Sequence, residues 1–189
     1  MLATRTSISD VIQVTPQRFT DERGYFMETF QLSNFRDATG TQISFVQENQ
    51  SLSLKKNTVR GLHFQSPPNA QSKLVRCLQG SILDIAVDIR KGSPTYKHSV
   101  AIKLTSNTDN QLWIPTGFLH GIRTLEDNTI VNYKCTEYYM PDYEGIISWD
   151  DPDLAIKWGI DTPASISERD MTAKKFGGFS SPFQYSFSS

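Results

Sequence analysis

The sequence has few of the residues on which stapled or metal-built proteins depend, with two cysteines and three histidines among 189 residues. Cys77 and Cys135 lie far apart, each inside an apolar stretch, and read as buried free thiols rather than a disulfide or a metal pair. No His-x-His or closely spaced His pair occurs, so the imidazole set of a barrel-type metal site is missing and no metal is expected. No apolar run approaches the ~20 residues of a membrane helix. Polar residues follow Met1-Leu2-Ala3-Thr4-Arg5, where a signal peptide carries its hydrophobic stretch. An excess of one charge is lacking too: 19 Lys and Arg against 20 Asp and Glu give a net charge of −1. That balance removes the broad basic field that non-specific nucleic-acid binding requires. Also missing are a Gly-x-Ser-x-Gly elbow, a phosphate-binding P-loop and any nicotinamide or flavin fingerprint. The expectation is a soluble, cytoplasmic protein that works without metal or redox cofactor and binds neither nucleic acid nor membrane.

What the chain does have is alternation. The length suits one domain, which we place at 1–178, followed by a C-terminal tail, 179–189, rich in serine and aromatic residues. In Ser81–Asp88, Leu83, Ile85 and Val87 face one way and Asp84 and Asp88 the other. Similar patterns predict strands over Ile43–Asn49, Val59–Phe64, Lys73–Gln79, His98–Leu104, Gln111–Ile114 and Thr129–Cys135. Turn chemistry at Gln79-Gly80-Ser81, Lys91-Gly92-Ser93-Pro94 and Pro115-Thr116-Gly117 separates several of them. Helix is marginal: Leu32–Thr39, started by Ser33 and stopped by Gly40, and Ser167–Lys175. Many short strands with almost no helical period predict an all-β antiparallel sandwich, jelly roll or barrel with a few short peripheral helices.

Three histidines are few enough to weigh singly. His63 sits in Val59-Arg60-Gly61-Leu62-His63-Phe64-Gln65, where an internal glycine marks a bulge or a close backbone approach. A bulge there resets the alternation and lets Arg60 and His63 share a side. His120 is flanked by Gly121, and His98 shares a face with Val100, Ile102 and Leu104, which reads as a core position. Lys73 has apolar period-two mates, Val75 and Cys77, and Tyr133 has Val131 and Cys135, so both point inward by pattern. Inward polar groups are costly unless paired or wetted by a ligand; the bland alternatives are a snorkelling lysine and a tyrosine capping the core. Asp170 fits a helix start with Ser167, where its ordinary role is capping.

These residues fall within a longer pattern. Phe19–Glu28, Gln47–Ser51, Arg60–Gln65, Gln71–Arg76, Asp88–Thr95, Pro115–Gly121, Tyr133-Lys134, Tyr138–Pro141 and Ser167–Asp170 resemble, in order, the dTDP-4-dehydrorhamnose 3,5-epimerase family, a group of cupin-fold nucleotide-sugar epimerases. The resemblance implies a cupin-type jelly roll and a dTDP-linked 4-keto-6-deoxy hexose as substrate, inverted at carbons 3 and 5 without a cofactor. Mono-epimerases of related 4-keto sugars and non-catalytic sugar-binding cupins are the alternatives. By resemblance His63 is the base with Asp170 as its partner, Lys73 stabilises the enolate oxygen and Tyr133 is the acid. It further implies substrate binding by Arg23, Glu28, Gln47, Asn49, Arg60, His120, Glu144 and Arg169, with Tyr139 stacking on the thymine. Position 169 carries Arg where many members carry Lys. The resemblance also implies a homodimer in which the Arg23–Glu28 segment reaches the neighbouring subunit's site.

Overall fold

The computed structural model describes residues 1–186. Its strands are β1 (Leu2–Arg5), β2 (Ile12–Thr15), β3 (Arg18–Asp21), β4 (Gly24–Met27), β5 (Gln47–Ser53), β6 (Val59–Gln65), β7 (Lys73–Gln79), β8 (Ser81–Asp88), β9 (Ser99–Thr105), β10 (Gln111–Ile114), β11 (Phe118–Thr124), β12 (Thr129–Cys135) and β13 (Glu144–Ile146). Two short helices, α1 (Leu32–Thr39) and α2 (Glu168–Met171), lie outside the sheets. All strand pairs are antiparallel. One sheet runs β1-β2-β10-β7-β12-β5, the other β13-β6-β11-β8-β9, and β3 and β4 form a separate hairpin. This is the all-β antiparallel architecture that the alternation and turns predict, in the cupin-like form that the resemblance implies.

Three apolar clusters follow from the faces of these sheets. Val75, Cys77, Ile82, Ala86, Val100, Leu104, Leu112, Phe118, Ile122 and Val131 meet between the sheets. The outer face of the six-stranded sheet, with Ile12, Val14, Leu74 and Trp113, is closed by Phe35 of α1 together with Phe30 and Phe45. The outer face of the five-stranded sheet, with Leu62, Phe64, Leu83, Ile85, Val87 and Leu119, is covered by Ile147, Leu154, Trp158, Phe176 and Phe183 from the chain after β13. Strand β8 is therefore apolar on its outer side and carries Asp84 and Asp88 inward, both fully buried. Asp88 accepts hydrogen bonds from Arg90, Ser93 and Thr95. A pattern that ordinarily separates core from solvent here separates two cores.

Several local expectations are corrected. The strand expected from Ile43 begins at Gln47, because Ile43 and Phe45 instead join the cluster around α1. His98 is exposed and lies just before β9, not in the core. Helix α1 has the expected span and ends at Gly40 in the left-handed conformation (φ 74°), but its cap is Gln31, whose side chain accepts from the Asn34 amide, rather than Ser33. Helix α2 is a single turn capped by Ser167; it stops before Lys175 because Lys174 bridges to Ile147. Strands β1–β4, β11 and β13 are additions to the sequence reading. Cys77 and Cys135 are free and buried.

Candidate active site

The inner faces of the two sheets leave a cleft at one end of the sandwich, and strand β6 supplies its centre. Across β11, His63 pairs with His120 and Arg60 with Ile122, so three steps along β6 match two along β11. The extra residue is the bulge expected at Gly61, and it brings Arg60 and His63 to one cavity. Gly61 has φ +116°, and a Cβ there would sit 2.7 Å from both the Gly121 Cα and the His120 carbonyl oxygen. Only glycine fits this approach.

Two histidine–aspartate pairs follow from that register. His63 Nε2 lies 2.6 Å from Asp170 Oδ1, and the other carboxylate oxygen accepts from the Gly61 amide at 3.1 Å. The Asp170 amide itself donates to the Ser167 cap. Burial would raise the Asp170 carboxyl, but the hydrogen bonds from His63, Gly61 and Ser167 outweigh it and hold it below the usual carboxylate value. On the neighbouring strand His120 Nε2 lies 2.6 Å from Asp84 Oδ1, with Asp84 wholly buried. Burial lowers the His120 pKa despite that carboxylate, and the nearby charges of Lys73 and His63 push the same way. The second oxygen of Asp84 has no hydrogen-bond partner among the described residues.

The opposite wall comes from the six-stranded sheet in register. Gln47, Cys135 and Lys73 form one cross-strand row, and Asn49, Tyr133 and Val75 the next. The Lys73 ammonium lies 5.9 Å from the centroid of the Tyr133 ring. Burial lowers the Lys73 pKa, only partly offset by Cys135, Glu144 and Asp84. Burial also raises the Tyr133 phenol, so it stays protonated and can donate. Two adjoining cavities of about 280 and 390 Å³ share His63, Lys73 and Tyr133. Arg60, His120 and Asp170 line one of them, and Gln47, Asn49, Tyr139 and Glu144 the other.

At the mouth, Tyr139 donates its hydroxyl to Glu144 Oε2 at 2.8 Å, and Arg169 meets the same oxygen at 2.6 Å. The Tyr139 amide donates to Gln47 Oε1, and Gln47 donates to Asn49. Arg60 is held by the Ser53 hydroxyl and the Leu52 carbonyl, with its guanidinium exposed beside the cleft. Arg23 and Glu28 are not brought to this cleft. Arg23 sits in the turn between β3 and β4, paired with Asp21, and Glu28 accepts from Asn34. That hairpin stands out with Phe19, Tyr25 and Phe26 exposed.

Sequence reasoning missed Asp84, because alternation assigns a polar residue opposite Leu83 and Ile85 to solvent. It also gave no separate role to Gln65, Gln71 and Ser51, which line the cavities. Their signal was period-two placement beside His63, Lys73 and Asn49.

A profile of the dTDP-4-dehydrorhamnose 3,5-epimerase family matches residues 5–177. The chain belongs to this family. It is 45% identical to the dTDP-4-dehydrorhamnose 3,5-epimerase of Salmonella typhimurium, over 92% of this chain and 94% of that protein. The enzyme of that name from Methanothermobacter thermautotrophicus is also 45% identical, over 90% and 91%. Among solved structures, a dTDP-6-deoxy-D-glucose-3,5-epimerase of Legionella pneumophila in complex with dTDP-4-keto-L-rhamnose superposes with a TM-score of 0.93 at 38% identity, covering 98% of both chains. A 3'-monoepimerase from Streptomyces bikiniensis aligns with a TM-score of 0.85 at 29% identity, over 94% of this chain and 88% of that one. Family membership thus rests on nearly the whole length of the domain.

Proposed function

We propose that this protein epimerises carbons 3 and 5 of dTDP-4-dehydro-6-deoxy-D-glucose, giving dTDP-4-dehydro-L-rhamnose for dTDP-rhamnose biosynthesis in the cytoplasm. The observation that carries the reading is one cleft lined by the His63–Asp170 pair, Lys73 and Tyr133. The C4 ketone acidifies the hydrogens on both neighbouring carbons. With Nε2 engaged by Asp170, Nδ1 of His63 is the nitrogen free to take such a proton. Asp170 holds the ring and stabilises the imidazolium that forms. The electron pair moves to the ketone oxygen, where the Lys73 ammonium meets the developing enolate charge. Tyr133 returns a proton to the carbon from the other side, inverting it, and no electron leaves or enters the substrate.

The binding residues divide by chemistry. Arg60 suits the diphosphate because its fork contacts two oxygens at once. Tyr139 offers its ring to the thymine, while Gln47, Asn49, Glu144, Arg169 and His120 supply polar contacts along the nucleotide sugar. Arg23 and Glu28, remote from the cleft of their own subunit, complete the partner's site in a homodimer. Their exposed aromatic hairpin supports this reading, since exposed apolar groups clustered on one projecting element mark an interaction surface.

Incubation with dTDP-4-dehydro-6-deoxy-D-glucose in deuterated water, followed by mass spectrometry, tests the proposal. Solvent deuterium is expected at both carbon 3 and carbon 5. Incorporation at one carbon only reduces the activity to that of a mono-epimerase, and none by folded protein removes the catalytic reading.

A further inference from the structure

Residues 179–186, which follow the family match, pack on the reverse side of the site strand. Phe183 and Ser181 are buried. The backbone of this segment locks to the loop after β8: the Lys91 amide donates to the Phe183 carbonyl at 3.0 Å, and the Tyr185 amide to the Lys91 carbonyl at 2.9 Å. The Lys91 ammonium donates to the Ser180 hydroxyl, and the Arg90 guanidinium lies 4.9 Å from the Tyr185 ring centroid. The Phe179 and Phe183 rings converge on one residue. Phe64 packs edge-on against Phe179 at 5.6 Å and Phe183 at 6.0 Å between centroids.

Phe64 connects that contact to the mouth of the cleft. It lies in β6 between His63 and Gln65, and pairs with Gly145 of β13. A Cβ on Gly145 would fall 2.1 Å from the Phe64 ring, so the ring fills the space over β13 next to Glu144. Gln65 donates to the Tyr138 carbonyl and accepts from the Met140 amide, both at 2.9 Å, and so fixes the loop that carries Tyr139. The His63–Asp170 pair is anchored separately, through the Gly61 amide and the Ser167 cap.

We propose that the segment 179–186 is a positioning brace for nucleotide binding, acting through Phe64 on Glu144 and the Tyr139 loop rather than on the proton-transfer groups. The inference rests on the nucleotide-sugar reading of the cleft. Removing Phe183 leaves the outer face of Phe64 unsupported, and the pair Glu144 and Tyr139 loses its fixed spacing. Binding groups held in place before the ligand arrives spare it the cost of ordering them, so loosening them weakens binding.

The test is Phe183→Ala, with calorimetric titration of dTDP alone and steady-state kinetics on the same preparations. Expected are an about tenfold weaker affinity for dTDP and a parallel rise in KM, with kcat held within about twofold. Phe183→Leu should restore both. Wild-type affinity for dTDP in folded Phe183→Ala overturns the brace, as does a fall in kcat with KM unchanged. Should Phe183→Ala fail to fold, Phe179→Ala carries the same comparison, since Phe179 also packs on Phe64 and is less buried than Phe183. If the unaltered protein itself does not bind dTDP, the nucleotide-sugar reading fails first, and the brace falls with it.

Discussion

The two histidine–aspartate pairs have the same 2.6 Å separation and sit on directly paired residues of neighbouring strands, yet their surroundings differ. His63 is more open, 30% exposed against 13% for His120, and its aspartate arrives on a separate helix turn with both oxygens satisfied. Asp84 projects from the sheet itself, fully buried, with one oxygen unpartnered. A histidine whose carboxylate is fully hydrogen-bonded keeps a fixed ring and a supported positive charge, as a base needs. One that burial drives toward neutrality serves better as a fixed polar contact. On the proposed mechanism the same two residue types divide labour through desolvation and hydrogen-bond supply.

The largest effect should come from removing the first pair's imidazole. For His63→Ala we expect a fall in kcat of about 10²–10⁴-fold and loss of deuterium exchange at both carbons, measured with dTDP binding intact. Next in size is the shared backbone contact. Gly61→Ala forces a side chain into a positive-φ position against the His120 carbonyl, and should destabilise the fold by about 1–3 kcal/mol in denaturant titration. Unchanged stability there would show that the two strands can separate without cost. Third, Asp84→Asn removes a charge that supports the Lys73 ammonium. If Lys73 acts as proposed, the alkaline limb of the rate profile should move to lower pH, whereas the equivalent change at Asp170 should act mainly on kcat. If Asp84→Asn leaves the alkaline limb in place, the second pair has no electrical link to Lys73.

The smallest effect is on stability against pH. His120 has a lower pKa folded than unfolded, so below the ordinary histidine value of about 6.5 the unfolded chain binds more protons and stability falls as pH drops. Asp170, also lowered, contributes stability above its ordinary value that is lost as pH falls through the folded one. Thermal melts should therefore decline in two stages on acidification, and His120→Gln should abolish the earlier stage alone.

Strand bounds were legible even where both faces of a strand are buried. Strands β7, β8, β10 and β12 have the bounds that alternation and turn residues predict, and the glycine in β6 marked its bulge before any coordinates. What a face meets was not legible where burial has two sides. Asp84 and Asp88 looked solvent-facing because the apolar residues between them face a second core. His98 looked internal by alternation with Val100, Ile102 and Leu104, but the strand starts one residue later and leaves it exposed. Lys73 and Tyr133 stood out because they break an apolar face, and the structure brings both to the cleft with His63. Arg23 and Glu28 stand apart from it, because the β3–β4 hairpin that carries or precedes them pairs with neither large sheet.

The double-sided burial of β8 bears on the order in which the molecule can be built. The inner core needs only strands up to β12, but the outer side of β8 and β11 is closed by residues from Ile147 to Phe183. As the chain is synthesised from its N-terminus, that apolar surface exists before the segments that cover it do. A growing chain therefore carries an uncovered sheet face until the residues from Ile147 to Phe183 have followed β12, and the last of these to arrive is the phenylalanine that packs on Phe64.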